Sequence, residues 1–172
     1  WIITGSREVG KTRFCNHLVH QARTSQMEIS GLLCPPIYNE KNKTGFSIQN
    51  LKTEETRVLA RLNPAFIPDS DSCKWVFDPE ALIWGNEILQ KSIPCELLII
   101  DELGPMEFEQ QKGWTEGLKA VDSRQYKKAV IVIRPELTEQ ACLRWPEAQT
   151  LEIPPDLDDK NGQELIRKIL LD

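Results

Sequence analysis

The sequence predicts an α/β fold in three layers, with helices on both faces of a doubly wound, mostly parallel sheet. Two apolar runs, 97–100 and 129–133, are the basis of this prediction because neither alternates with polar residues. Strands of that kind are usually buried on both faces, as they are in parallel sheets. Amphipathic segments separate the apolar runs along the chain, and this order predicts strands joined by crossover helices.

Length and composition are those of an ordinary globular protein, so we expect residues 1–172 to form a single domain. Hydrophobic residues make up 40% of the chain and charged residues 27%. No apolar run approaches the roughly 20 residues that cross a bilayer, so we expect no membrane partner. The 21 basic and 26 acidic residues give a net charge of −5, which argues against general nucleic-acid binding.

The N-terminus lacks a basic stretch followed by an apolar segment, so we expect no secretory signal and a cytoplasmic location. Because the chain begins at Trp1, inside a predicted strand, we expect it to be an excerpt or a trimmed form of a longer chain. The cysteines are far apart and form no Cys-x-x-Cys pair, which predicts buried thiols in a reducing compartment. They are Cys15, Cys34, Cys73, Cys95 and Cys142.

The first predicted elements are a short strand over 1–4, a glycine-containing loop and an amphipathic helix. The apolar positions of this helix fall on one arc, with polar residues opposite. They are Phe14, Cys15, Leu18, Val19 and Ala22. A second strand over 29–34 is expected to end at Pro35 and Pro36.

The segment 38–77 predicts an inserted β-hairpin at the side of the main sheet. Phe46 and Ile48 alternate with polar neighbours, residues 52–55 supply a turn, and residues 57–60 return as the partner strand. We therefore expect this segment to lie outside the alternating strands and helices of the core.

The later elements return to the alternating pattern. Asp78 before Pro79 predicts a helix start, because Asp caps free N–H groups and Pro is tolerated at the first helical position. After it we expect a crossover helix holding Trp114, Leu118 and Val121, a short helix over 137–143, a strand over 150–153 and a final helix holding Leu165, Ile166, Ile169 and Leu170.

The stretch from Gly5 to Thr12 fits the phosphate-binding pattern G-x-x-x-x-G-K-[ST]. Its glycines let the backbone curl so that N–H groups point at phosphate oxygens. Lys11 would reach the β- and γ-phosphates, and Thr12 would offer its hydroxyl to Mg²⁺. Chance gives such a string in about 0.6% of chains this long, and here it also joins a strand to a helix. The residues expected to bind the nucleotide are Gly5, Ser6, Arg7, Glu8, Val9, Gly10, Lys11, Thr12 and Arg13.

Two carboxylates, Asp101 and Glu102, follow the apolar run 97–100. An Asp at this position can hold a water ligand of Mg²⁺ opposite Thr12, so we expect Thr12 and Asp101 to form a metal site. Glu102 can orient and deprotonate the water that attacks the γ-phosphate. The alternative is that both carboxylates only cap the next turn.

Arg134 ends the apolar strand that follows the carboxylate pair. In P-loop proteins with a catalytic Glu, this strand lies beside the one that leads into the phosphate loop. Arg134 would then lie near the γ-phosphate, where a guanidinium can steady developing charge. The alternative is a surface arginine before Pro135.

Three aromatic or imidazole side chains also have two interpretations each. His17 and His20 are one helical turn apart, as a metal pair can be, but they lie opposite the apolar arc and we expect them to be exposed. Trp145 lies in a predicted loop, where it could pack in the core or stack on a nucleobase.

Four parts of the sequence together resemble a known family: the loop 5–12, the strand 31–33, the pair 45–46 and above all the block 101–107, Asp-Glu-Leu-Gly-Pro-Met-Glu. They are similar to the small P-loop nucleoside-triphosphatases first described in thermophiles, whose vertebrate members are called cancer-related nucleoside-triphosphatases. The resemblance implies a RecA-like core with an inserted hairpin. It also implies slow, Mg²⁺-dependent hydrolysis of several nucleoside triphosphates.

The resemblance also implies roles for individual residues. Lys11 would bind phosphate, Thr12 the metal, Asp101 a metal-bound water, and Glu102 would be the general base. Glu107 matches the final acid of the family block, and two roles remain open for it, a structural cap and a part of the catalytic site.

We therefore expect Mg²⁺-dependent hydrolysis of ATP, GTP and other nucleoside triphosphates to the diphosphate and phosphate, with Lys11, Glu102 and Arg134 as catalytic residues. One alternative is a kinase that passes the γ-phosphate to a small acceptor, because the same cradle serves transfer and hydrolysis. Another is a nucleotide-gated module that binds a protein partner through the hairpin region 38–77. The sequence does not indicate which base is preferred.

Overall fold

The computed structural model describes residues 1–68 and 73–171. Residues 69–72 of the predicted insertion and residue 172 lie outside this description. The strands are β1 (Ile2–Thr4), β2 (Ile29–Leu33), β3 (Pro36–Asn39), β4 (Asn42–Asn50), β5 (Thr56–Leu62), β6 (Trp75–Phe77), β7 (Cys95–Leu103), β8 (Tyr126–Ile133) and β9 (Thr150–Glu152). The helices are α1 (Lys11–Thr24), α2 (Pro79–Gln90), α3 (Pro105–Phe108), α4 (Thr115–Ser123), α5 (Thr138–Arg144) and α6 (Asp159–Leu171), and a 3-10 turn over Pro135–Leu137 precedes α5.

Five strands form a parallel sheet in the order β2-β7-β8-β1-β9. β7 and β8 contain the two non-alternating apolar runs, and they are central in this order. Side chains alternate between the two faces of a strand, so a strand covered on both faces needs apolar residues at every position. The predicted α/β class with a doubly wound sheet is therefore confirmed.

Two hydrophobic clusters, one on each face, produce the three layers. One cluster joins α1 and α6 to the sheet through Ile3, Leu97, Ile99, Val130 and Val132. The other joins α2, α4 and α5 to the opposite face through Ile2, Leu98, Ile100, Ile131 and Ile133. Burying one such aliphatic side chain stabilises the fold by about 1.5–3 kcal/mol. Packing on both faces therefore fixes the positions of the parallel strands and of the residues at their carboxyl ends.

The segment after β2 holds more than the predicted hairpin. β4 and β5 pair antiparallel around a turn at 51–55, but β3 and β6 add a strand on either side of them. β4 also pairs antiparallel with β2, with Leu32 opposite Asn50. The segment therefore continues the main sheet, because β2 would otherwise leave its backbone groups unpaired at an open edge.

The buried face of α1 and the start of α2 agree with the sequence predictions. The buried residues of α1 are the five apolar positions of the predicted arc. Asp78 caps α2, since its carboxylate accepts from the backbone N–H groups of Glu80 at 2.9 Å and Ala81 at 3.2 Å. Pro79 occupies the first turn, where it needs no hydrogen-bond donor.

Trp145 is part of the core, so the base-stacking interpretation is wrong. The residue is 4% exposed, and its indole N–H donates to Asp122 at 2.9 Å. The indole also meets the ring of Phe108 edge-on, with centroids 5.9 Å apart. A nucleobase has no free face of this ring to stack on.

The burial predicted for the cysteines holds only in part, whereas the exposure predicted for the two histidines agrees with the structure. Cys15 and Cys95 are buried, but Cys73 is exposed and Cys34 and Cys142 are only partly covered, so the prediction of buried thiols is wrong for Cys73. All five cysteines are unpaired. His17 and His20 are exposed, as predicted from their place opposite the apolar arc of α1.

Candidate active site

The candidate site lies at the carboxyl ends of the parallel strands, where α/β sheets usually bind ligands. β1 leads into the loop that starts at Gly5, β7 contains Asp101 and Glu102, and β8 ends before Arg134. β8 pairs with β1 on one side and β7 on the other, which is the arrangement the sequence prediction for Arg134 required. All the predicted chemical groups therefore meet at one edge.

The loop between β1 and α1 needs both of its glycines. Gly5 and Gly10 have φ angles of 136° and 105°, which side-chain-bearing residues rarely adopt. A Cβ atom on Gly5 would lie only 2.8 Å from the carbonyl oxygen of Ile153. The loop ends at the first turn of α1, which contains no acidic residue, so the positive end of the helix dipole is not neutralised there.

Lys11 reaches back across this loop. Its ammonium donates to the carbonyl oxygens of Gly5 at 2.6 Å and Ser6 at 2.8 Å. Burial lowers the pKa of Lys11, and the nearby carboxylates of Glu102 and Asp101 oppose that shift. The cation is therefore held at the mouth of the loop, where it can bind an anion.

Thr12 and Asp101 are in direct contact, although 89 residues separate them in the chain. The Thr12 hydroxyl donates to Oδ1 of Asp101 at 3.3 Å, and the backbone N–H of Cys34 donates to Oδ2 at 3.0 Å. Asp101 is 2% exposed, and burial raises its pKa to about 6 despite these two hydrogen bonds. Both partners of Asp101 lie outside the following turn, so it is not a cap of that turn.

Glu102 and Arg134 form an ion pair between Oε1 and Nε. The side chains are 43% and 35% exposed, respectively, so both can be reached from solvent. Glu102 has a φ of 74°, in the left-handed region, and the β7–β8 register is irregular between Ile100 and Leu103. Such strain costs about 1–3 kcal/mol and is common at functional sites; here it occurs at the residue expected to be the general base.

Glu107 supports the backbone next to the site. It is buried, and its two carboxylate oxygens accept from the backbone N–H groups of Gly104 and Trp114, each at 2.7 Å. A Cβ atom on Gly113 would lie 2.0 Å from Oε1 of Glu107, so that glycine makes room for the carboxylate. These contacts favour the structural cap over a catalytic role.

The family follows from a match along nearly the whole chain. A sequence profile described as NTPase matches residues 1–170. The chain belongs to the NTPase family. The family predicted from the sequence is thereby confirmed.

Several relatives of this NTPase-family chain are named nucleoside-triphosphatase THEP1. The one from Sulfurisphaera tokodaii is 31% identical over 114 residues, which are 64% of this chain and 63% of the relative. The one from Ignicoccus hospitalis is 26% identical over 142 residues, 83% of this chain and 79% of the relative. The chain spans about 63% of the length of the S. tokodaii protein and 62% of that from Methanosarcina acetivorans.

Two solved structures share the fold of this NTPase-family chain. The solution structure of a human cancer-related nucleoside triphosphatase has a TM-score of 0.66 at 19% identity, covering 98% of this chain and 94% of that one. The crystal structure of THEP1 from the hyperthermophile Aquifex aeolicus has a TM-score of 0.68 at 20% identity, covering 98% and 97%. At these identities the likeness concerns the fold.

The other residues of the motif differ in exposure. Ser6, Arg7, Glu8 and Arg13 are exposed, and Val9 is half-buried. Glu8 has a φ of 62°, so the loop changes direction there as well as at its glycines.

Lys43 is a residue near the site that sequence reasoning missed. It lies on β4 opposite Tyr38 of β3, and its ammonium is 4.1 Å from the centre of the Phe46 ring. Burial lowers the pKa of Lys43, and the charges of Glu8 and Glu102 are the largest effects that oppose it. β4 has nine residues and extends past the end of β2, which has five, and no sequence motif marks this extension.

The buried carboxyl of Asp101 predicts a pH-dependent stability. Its pKa is about 6 in the folded chain against a model-compound value of 3.8, so between these values only the folded state binds the proton. The contribution to the free energy of unfolding is therefore present below the lower value and is lost as the pH rises through about 6. From about pH 7 to about pH 5, the metal-free protein should gain on the order of 1 kcal/mol from this group.

Denaturant unfolding at both pH values, with a chelator present, measures this gain. Asp101→Asn serves as the control because it removes the titrating group, so the variant should lack the Asp101 part of the gain. Glu107, whose pKa burial also raises, titrates in both proteins. An identical pH dependence in the two proteins would contradict the assignment to Asp101.

Proposed function

We propose that the chain hydrolyses ATP, GTP and other nucleoside triphosphates to the diphosphate and phosphate. The observation that best supports this is the Thr12–Asp101 contact, which joins the phosphate loop to the acidic strand end. The names of the relatives from S. tokodaii and I. hospitalis, nucleoside-triphosphatase, point to the same reaction.

In this proposal the triphosphate lies in the loop 5–12. Backbone N–H groups and the start of α1 bind the phosphate oxygens, as in other glycine-rich phosphate loops. The Lys11 ammonium exchanges the carbonyl oxygens of Gly5 and Ser6 for oxygens of the β- and γ-phosphates. Because the lysine is already aimed across the loop, little reorganisation opposes binding.

The oxygen donors at Thr12 and Asp101 fit a hard divalent cation such as Mg²⁺. A hydroxyl and a carboxylate in contact suit its preference for oxygen ligands, so Thr12 and Asp101 would hold it. When bound, Mg²⁺ neutralises charge on the phosphates of the substrate. Ionised Asp101 favours the cation, and the proton that the buried carboxyl holds near pH 6 competes with it.

Glu102 and Arg134 would act at the γ-phosphate of the bound triphosphate. Glu102 accepts a proton from water as the water oxygen forms a bond to the γ-phosphorus and the bond to the bridging oxygen breaks, leaving the electron pair on the diphosphate. Arg134 leaves Glu102 for the γ-phosphate oxygens, where it steadies negative charge and frees the carboxylate to take the proton. The proton then returns to solvent from the exposed carboxyl.

We also propose that residues 1–172 act as one domain and that the inserted segment 38–77 contacts a protein partner. Exposed apolar side chains on its strands support this second proposal. They are Tyr38, Leu62, Val76 and Phe77.

We further propose a cytoplasmic location. Among residues 1–68 and 73–171, no helix is long and apolar enough to cross a membrane. The five unpaired cysteines support a proposed cytoplasmic location, because free thiols persist in a reducing compartment.

A phosphate-release assay with product analysis tests the proposed reaction. With ATP, GTP, CTP and UTP, we expect free phosphate and the matching diphosphate in equal amounts, only when Mg²⁺ is present. The same reactions with nucleoside monophosphates and small alcohols as acceptors test the kinase alternative. A phosphorylated acceptor in place of free phosphate would contradict hydrolysis as the main activity.

A further inference from the structure

A solvent-open cleft lies directly beside the phosphate loop, on the side away from the carboxylates. Val9, Gly10 and Arg13 form one wall, and the segment between β9 and α6 forms the other, with Leu157 and Asp159. The cleft is shallow and open, and its space of about 350 Å³ includes the solvent at its mouth. The buried side chain of Phe14 also lines it.

The direction of the bound triphosphate determines what this cleft can hold. β1 leads into the phosphate loop and has β8 on one side and β9 on the other. The groups that act on the terminal phosphate, Asp101, Glu102 and Arg134, all come from β7 or follow β8. The nucleoside end must therefore leave the loop on the β9 side, where the cleft lies.

We propose that this cleft binds the nucleobase and that Asp159 favours bases with an exocyclic amino group. The proposal rests on the proposed hydrolysis, since it concerns another part of the same substrate. Gly10 belongs to both the phosphate loop and the cleft, so a bound nucleotide can occupy the two without a gap. The Arg13 guanidinium lies against Gly10, where it can stack on a base.

Asp158 and Asp159 are neighbours in this segment, but only Asp158 forms side-chain hydrogen bonds within the described residues. Asp158 accepts from the backbone N–H and the side-chain amide of Asn161 at 2.7 and 2.9 Å, so it caps the start of α6. The exposed carboxylate of Asp159 has no hydrogen-bond or ion-pair partner within the described part of the chain. Asp159 is therefore the acceptor at the cleft that a ligand can use.

A free carboxylate distinguishes bases by their hydrogen-bonding edges. The amino groups of adenine, guanine and cytosine donate to a carboxylate, whereas the C4 oxygen of uracil repels it. Cytosine and uracil form the sharpest pair because they are similar in size and differ at the C4 group. In an open cleft one such contact is modest, so we expect kcat/KM for CTP to exceed that for UTP by about threefold to tenfold.

The experiment measures kcat/KM for CTP and UTP in the wild type and in Asp159→Asn. The amide of Asn can donate to the uracil oxygen as well as accept, so the CTP/UTP ratio should fall to near one. Asp156→Asn is the matched control, because Asp156 is exposed in the same segment and does not line the cleft. Inorganic tripolyphosphate, which lacks a base, should inhibit all three proteins equally.

A second variant tests the cleft by volume. Gly162 lies in α6 at the cleft, where a Cβ atom would meet Leu157 only at an ordinary 3.8 Å. Gly162→Leu should raise KM for every nucleoside triphosphate several-fold and leave tripolyphosphate inhibition unchanged, whereas Gly162→Ala should change neither value.

The possible outcomes separate this proposal from the proposed function. Hydrolysis with an unchanged CTP/UTP ratio in Asp159→Asn, or with unchanged KM values in a folded Gly162→Leu, would overturn the base site alone. Absence of triphosphate hydrolysis in the wild type would overturn the proposed function, whatever the cleft binds.

Discussion

Replacing Glu102 with glutamine is expected to lower kcat by about 10²- to 10⁴-fold, the usual contribution of a positioned general base. Glutamine has the shape of glutamate, and its side-chain oxygen can still accept a hydrogen bond from Arg134, so Arg134 retains a hydrogen-bond partner. It has no carboxylate to take the proton of the attacking water. Affinity for the triphosphate should change little, because Glu102 belongs to neither the loop nor the Thr12–Asp101 contact.

Single-turnover phosphate release with excess enzyme measures the chemical step, and equilibrium binding of a fluorescent triphosphate analogue measures affinity. Glu109→Gln is the matched control, because Glu109 is exposed at the end of α3 and the same change there should leave kcat intact. A Glu102→Gln protein with wild-type turnover would remove this residue from the mechanism.

Replacing Lys11 with alanine is expected to weaken triphosphate binding by about 10- to 100-fold, the effect of losing one or more charge-assisted hydrogen bonds. The loop itself should persist, since its shape depends on Gly5 and Gly10, and the carbonyl oxygens released at Gly5 and Ser6 can be hydrated. The melting temperature should therefore stay close to that of the wild type.

The matched control is Lys91→Ala, because Lys91 is exposed where α2 ends, before the amino end of β7. Titration calorimetry with a non-hydrolysable triphosphate analogue compares the two variants with the wild type. If Lys11→Ala bound the analogue as tightly as Lys91→Ala, the loop would not be the triphosphate site.

The central fold was predictable because its signals are local. A strand that is apolar at every position implies cover on both faces, and an Asp-Pro pair implies a helix start. The addition of strands β3 to β6 to the main sheet was less predictable, because the pairing of β4 with β2 joins two strands that the sequence assigns to different units. Trp145 shows the same limit, since its burial requires Asp122 on α4 and Phe108 on α3.

Some residues of the candidate site could also be predicted from the sequence, and others could not. The loop and the acidic pair follow from spacing, and the neighbourhood of Arg134 follows from strand order. Glu107 was visible in the sequence, but its role depends on Trp114, seven residues on, returning to meet its carboxylate. Lys43 lies near the site only because β4 overruns β2, and no motif marks that.

A crystal structure with Mg²⁺ and a non-hydrolysable nucleoside triphosphate tests the central claim most directly. We expect phosphate oxygens within about 3.2 Å of the loop N–H groups, with Lys11 moved from the carbonyl oxygens of Gly5 and Ser6 onto the β- and γ-phosphates. A triphosphate bound elsewhere, with Lys11 still on those carbonyl oxygens, would contradict the account.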